Sequence, residues 1–496
     1  MRRRFAKKVV GLTLTAAMVA SLAACNNQAS TNDETSKEET KKEETSAAGN
    51  NETTSAAQTD APTDAPTEEE TTLYKDANGN TVDLGGMKII IRDWWSDPVD
   101  SEPKEPNNAF EEARQEYIEW IQKTYNFTIQ QAGISTWASV PEDFNNYVST
   151  GGDDENYIFI LRRGTELAAA MNADLMYDLT KLDCLDFSDP KWVANVKDTT
   201  QKGSAIYGMS AETIEPKAGM YFNKRLLKEA GIDPESIYTL QENMEWTWDK
   251  FEEICKQINK DTDGDGEIDR YAMVNFGSTF YNGAVMSNNA HFIGKDADGK
   301  FYNALETQET LDALNWAVDM LATYDYPQPA DSNWDYWVEA FVNGKGAFIA
   351  GETYQAGQEW KDMEDDFGFV CFPMGPNAKD YTNWLGDNVY AIPSCYDADR
   401  AWKLAFAYNL YSSPVPGFED YNGRIEGFNN NFRDAESVDL TINRLYTNGS
   451  TTYHDLVPGI QMGPDLIWGL SKDNTPAQKA EAIRDTWAAY IEEANK

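Results

Sequence analysis

The chain has 496 residues, room for two large lobes or about three average domains, and its 41% hydrophobic and 12% aromatic content, with 15 Trp, excludes disorder of the whole. Asp and Glu number 83 against 42 Lys and Arg, a formal charge of −41, so a nucleic-acid backbone is repelled rather than steered in. With His291 and His454 alone, there is little room for His-rich metal centres or His-dependent triads.

The first 24 residues read as a secretory signal. Arg2, Arg3, Arg4, Lys7 and Lys8 precede an apolar stretch from Val9 to Ala20, too short to span a bilayer. Leu22-Ala23-Ala24-Cys25 then resembles the lipobox of bacterial lipoproteins, which implies that Cys25 is diacylated and anchors the mature chain in the membrane; the alternative is a secreted protein with Cys25 incidental. Residues 25–73 read as a tether. They are rich in Thr, Ser, Ala, Glu and Asn, repeat Asp-Ala-Pro-Thr at 60–67, and hold 12 acids against Lys37, Lys41 and Lys42, a charge of −9 that keeps the segment extended.

From Tyr74 onward strand-like and helix-like segments alternate. Met87 to Ile91 is a β-branched run, followed by Phe110, Ala113, Tyr117 and Ile121 at helical spacing. Tyr157 to Leu161 and then Glu166 to Met171 repeat the order, and further strands are expected at 346–349 and 367–372. Helices are expected at 309–324, 398–411 and 476–494, so the fold class is α/β with mixed sheets. Cys184, Cys255, Cys371 and Cys395 form no CxxC pair and read as thiols, although a disulfide is left open.

Asp261-Thr262-Asp263-Gly264-Asp265-Gly266-Glu267-Ile268-Asp269 places acids at positions 1, 3, 5 and 9 and Gly at position 6, the oxygen spacing of an EF-hand-type loop. Asp261, Asp263, Asp265 and Asp269, with the carbonyl of Glu267, are the expected Ca2+ ligands. Position 12 is Ala272, so another oxygen must complete the shell. The competing reading is an acidic turn that holds no metal.

Five fragments resemble, in order, the family 1 extracellular solute-binding proteins, the sugar-binding, maltose-binding-protein-like components of ATP-binding-cassette importers. They are Lys88 to Trp95, Gly219 to Ile232, Trp246 to Phe251, Gly344 to Phe348 and Gly386 to Pro393. The resemblance implies a two-lobed clamp with its ligand in the cleft, lobe 1 from 74–217 and 385–450 and lobe 2 from 218–384 and 451–496. The strand Ala218 to Lys224 and the segment Trp384 to Ile392 would be the crossovers.

Ligands of open α/β sheets sit outside the carboxyl ends of strands. Asp93, Trp94 and Trp95 end the first strand and Arg162 and Arg163 the second, while Phe280, Tyr281, Tyr354 and Trp468 fall where the resemblance implies sugar-stacking rings; Trp384, Trp334 and Trp337 are weaker candidates. Sugars call for this mixture, because their apolar C–H faces pack on rings and their hydroxyls take polar partners. Core packing is the competing reading for most of these rings.

The sequence therefore predicts a non-enzymatic, monomeric carbohydrate binder that delivers its ligand to the permease subunits of an importer. A secreted glycan hydrolase remains the alternative, although no GxSxG, HExxH or phosphate-loop signature supports one. A peptide-binding surface lipoprotein is a third reading.

Overall fold

The computed structural model describes residues 73–102, 104–211, 215–386 and 388–496. The signal, Cys25 and nearly all of the tether lie outside the described residues. No described helix is long and apolar enough to cross a membrane.

Lobe 1 is built on β1 (Met87–Asp93), α1 (Ala109–Tyr125), β2 (Phe127–Gly133), α2 (Val140–Ser149), β3 (Asn156–Arg162) and α3 (Thr165–Asn172). Each strand alternates because one face meets α1 and the other α2 and α3. Ile158 and Ile160 join Ile89 and Ile91 in one core, whereas Phe159 and Leu161 join Phe144 and Leu167 in another. The Asn108 side chain caps α1 by accepting the Glu111 N–H, and Asn126 in the left-handed conformation ends it.

The chain leaves lobe 1 through β4 (Glu215–Pro216) and forms lobe 2 from β5 (Ala218–Asn223), α4 (Trp248–Ile258), β6 (Tyr271–Met273), α5 (Gly277–Ser287), α6 (Gln308–Tyr324), β7 (Gly346–Glu352) and β8 (Phe367–Val370). It returns through β9 (Asn383–Gly386) to β10 (Asn388–Ala391) and α7 (Ala398–Tyr411). After a further passage near 412–422 come the short β11 (Gly449–Ser450) and the closing helix α8 (Pro476–Ala494), which begins with a Thr475–Gln478 capping box.

The lobe 1 sheet has the order β10-β3-β1-β2, with β10 antiparallel to β3 and the other pairs parallel; the lobe 2 sheet runs β8-β5-β7-β6. Between them lies a small hinge sheet, β11-β9-β4. The structure keeps 218 onward in lobe 2, as the sequence reading has it, and differs from that reading at one crossover and one boundary. Residues 218–223 are fully buried in the middle of the lobe 2 sheet, so the crossing precedes them. Phe428, Phe432, Val438, Ile442 and Leu445, expected in lobe 1, belong to the lobe 2 core, where Phe432 stacks on Tyr221 at 6.0 Å.

Candidate ligand cleft

The hinge sheet fixes which strand ends form the cleft. Asn388, which follows the hinge strand, pairs with Arg162 at the end of β3, while Ala218, which follows β4, pairs with Glu352 at the end of β7. The carboxyl ends of β1, β2 and β3 in lobe 1 and of β7 in lobe 2 therefore lie on the hinge side of their sheets.

At the end of β1 the Asp93 carboxylate is buried and its oxygens are occupied. Oδ1 accepts the N–H groups of Trp95 (3.2 Å) and Ser96 (3.1 Å), and Oδ2 accepts the Ser96 hydroxyl (2.5 Å) and the Gln131 amide (2.7 Å). This turn splits the tryptophan pair. Trp94 packs against both cores of lobe 1, Trp95 stays 48% exposed, and their rings meet edge to face at 4.7 Å. Asp93 is thus a positioning residue beneath the rim, contrary to its expected role as a ligand contact.

Arg162 and Arg163 part company as well. Arg162 pairs with Glu166 (3.1 Å) and lies over the ring of Trp137, 4.2 Å from its centroid. Arg163 is almost fully buried; it donates to the Thr452 carbonyl and stands 3.8 Å from Asp455, which also accepts the Thr452 hydroxyl at 2.6 Å and lies 3.5 Å from His454 Nε2. Segment 451–456 thereby touches both lobes. Its polar side chains face lobe 1, where Thr451 also bonds Asn195, and its rings face lobe 2, with His454 5.5 Å from Phe292 and Tyr453 6.2 Å from Phe301. Arg163 clasps the lobes beside the hinge and is not placed as a ligand contact. Burial pushes the Asp455 carboxyl up, but His454, Arg163 and Thr452 outweigh it and hold it below the carboxylate range; burial keeps the His454 imidazole below its usual value.

On lobe 2, Lys217 ion-pairs with Glu352 (3.4 Å) and lies 5.9 Å from the Tyr354 ring, which remains 39% exposed. Trp468 is 72% exposed, with Gly463 against its ring so closely that a Cβ there would sit 2.6 Å away. Trp334, 70% exposed, meets Phe276 at 6.0 Å, and Trp337 stacks on the same phenyl ring at 5.7 Å. Trp384 is half-buried in the hinge strand, where its carbonyl accepts the Lys217 N–H.

Phe280 and Tyr281 are core residues, a correction to their expected place in the cleft. Phe280 is wholly buried and stacks on Trp316 (5.6 Å); burial pushes the Tyr281 hydroxyl up to about 12. The physical reason is that α5 turns back into the lobe, so rings four and five residues along the helix meet α6 rather than the strand ends. Sequence reasoning missed Lys217, the clasp residues Thr452 and Asp455, and Trp137. A Trp at the centre of the polar run Ser135-Thr136-Trp137-Ala138-Ser139 was the one available signal.

The acidic loop lies at the opposite end of lobe 2, since β6 runs from it toward the cleft. Ligand oxygens of Asp261, Asp263 and Asp265 lie within 4.8 Å of one another. Asp269 does not join them: its Oδ2 accepts the Thr262 N–H and hydroxyl, both at 2.7 Å, which holds its carboxyl below the usual range. Gly264 and Gly266 take positive φ, as the tight loop requires. Cys184, Cys255, Cys371 and Cys395 are free thiols.

Two α/β lobes joined by a hinge sheet, with strand ends facing across it, define a two-lobed ligand-binding clamp. The chain belongs to the bacterial extracellular solute-binding protein family, whose model matches residues 146–405. This is a family of binding proteins, not of enzymes, and membership implies an extracellular or periplasmic location. No curated protein matches the chain in sequence.

Solved structures share the fold at low identity. UgpB from Mycobacterium tuberculosis, in complex with glycerophosphocholine, is 15% identical with a TM-score of 0.56, over 77% of this chain and 95% of that one. The cyclic α-maltosyl-1,6-maltose binding protein of Arthrobacter globiformis is 15% identical (TM-score 0.54, 83% and 98%). The GacH receptor of Streptomyces glaucescens, also solved with acarbose, is 14% identical (TM-score 0.53, 82% and 99%).

Proposed function

We propose that this protein is a lipid-anchored, monomeric carbohydrate receptor that hands an oligosaccharide to an ATP-binding-cassette importer. The observation that carries the reading is the set of exposed rings just beyond strand ends of both lobes, Trp95 on one side and Tyr354 on the other, with Trp334 and Trp468 also exposed on lobe 2. A sugar ring has two apolar faces, so it can lie on a platform from each lobe, and burial of both faces favours the closed clamp. Lys217, Glu352 and Arg162 supply the charged partners that hydroxyls take at the rim. The sequence around Cys25 supports the anchor, and the fold's relatives that bind acarbose and a cyclic maltosyl sugar support the ligand class.

Asp261, Asp263 and Asp265 fit a hard oxygen-binding cation such as Ca2+, which would neutralise three converging carboxylates and brace the loop before β6. The Asp269 side chain would sit behind them in its bond to Thr262.

Titration calorimetry against neutral mono- and oligosaccharides, with glycerophosphocholine in the same panel, tests the reading. Binding of a neutral oligosaccharide with no change in it on recovery is the expected result. Cleavage of the sugar, or binding of glycerophosphocholine alone, contradicts it.

A further inference from the structure

Trp137 occupies the loop that leaves β2, and three features distinguish it from an incidental exposed ring. It is 60% exposed, yet its loop is pinned on both sides. Thr136 and Ser139 bond each other's backbone N–H through their hydroxyls at 3.0 Å, and Ser139 and Arg92 both bond Asp143 at 3.0 Å. Arg92 also reaches the Ser135 hydroxyl at 2.9 Å. Second, the Arg162 guanidinium covers one face of the indole at 4.2 Å and is itself held by Glu166, leaving the other face open. Third, Arg162 pairs with Asn388 beside the hinge, which sets this ring at the cleft end of lobe 1. Arg162 Nε is buried and bonds no acceptor among the described residues.

A rigid ring with one face backed by a cation and the other open is a preorganised platform, which binds without the entropy cost of ordering a mobile side chain. We propose that Trp137, clamped by Arg162, forms an additional sugar subsite on lobe 1, so that the ligand is an oligosaccharide longer than a disaccharide. Trp95 and Trp137 leave different strands, β1 and β2, and serve different rings of that chain. This inference rests on the carbohydrate reading above.

The test is calorimetry of wild type and Trp137→Ala against malto- and cello-oligosaccharides from monosaccharide to hexasaccharide. The wild type is expected to bind the longer members more tightly than the disaccharide. Trp137→Ala should lose about thirtyfold in affinity for the longer members, the scale of a binding hot spot, with the disaccharide unchanged. Trp137→Phe should recover most of the loss. Equal affinities of wild type and Trp137→Ala for every bound sugar overturn the subsite while leaving the carbohydrate reading intact. Failure of the wild type to bind any member overturns both.

Discussion

Each lobe carries a pair of adjacent aromatic residues just beyond a strand, and the two lobes present them oppositely. After β1 the chain turns at once, because Asp93 gathers the N–H groups of Trp95 and Ser96; the turn drives Trp94 inward and leaves Trp95 on the rim. After β6 the chain runs on into α5, and by Phe280 and Tyr281 it has turned back into a core of Trp316 and Phe372. A ring is available to a ligand when a turn at the strand end holds it there. Aromatic content near the strand does not decide the matter.

The contrast is broken most severely by removing a ring from the buried pair. Phe280→Ala should destabilise the protein by about 3–5 kcal/mol, the usual cost of a buried phenyl ring and its cavity. Calorimetric melting reads that loss, and ligand titration of the folded fraction should show unchanged affinity. A weakened ligand with an unchanged melt would return Phe280 to the cleft.

A second difference between the lobes lies in the clasp that joins them, and pH reaches it. The unfolded chain takes up a proton on His454 near its ordinary value of about 6.5, whereas the buried imidazole resists it, so stability should decline as pH falls below that point. Asp455 has the folded pKa of a stabilised carboxylate; its contribution is complete above about pH 4 and is lost as pH falls through the lower folded value. Melting curves from pH 8 to pH 3 should show both declines in the wild type and a smaller second decline in Asp455→Asn, since Asp434 and Asp365 are also held below the usual carboxylate value. Identical profiles for the two proteins would remove Asp455 from the clasp.

The acidic loop, at the far end of lobe 2, should give the smallest effect on binding. Excess chelator should lower the melting temperature reversibly by mass action, and added Ca2+ should restore it, with sugar affinity nearly constant. A melting curve indifferent to chelator, with no calcium by elemental analysis, counts against the metal.

These outcomes bear on what the residues alone made visible. Apolar runs located the strands, and helix formers with their caps located 398–411 and 476–494 closely, because those signals are local. The role of Asp93 was hidden, since it depends on Gln131 in another strand. Arg163 looked like a cleft residue until Thr452 and Asp455, far along the chain, arrived beside it. Residues 423–447 were assigned to the wrong lobe because Phe428 and Phe432 would suit either core, and only packing on Tyr221 decides. Four Asp at positions 1, 3, 5 and 9 suggested a cation, and the structure converges three carboxylates while turning Asp269 to the Thr262 N–H and hydroxyl.

The central claim is that rings from both lobes close on a sugar. Titration calorimetry of Trp95→Ala, Tyr354→Ala and Trp468→Ala against the best-bound oligosaccharide, paired with melting of each ligand-free variant, tests it most directly. The account predicts a loss of about 2 kcal/mol in binding, roughly thirtyfold, for substitutions on each lobe, and ligand-free stability within about 0.5 kcal/mol of wild type, as for exposed side chains. Wild-type affinity in all three variants, or a loss confined to one lobe, would contradict it.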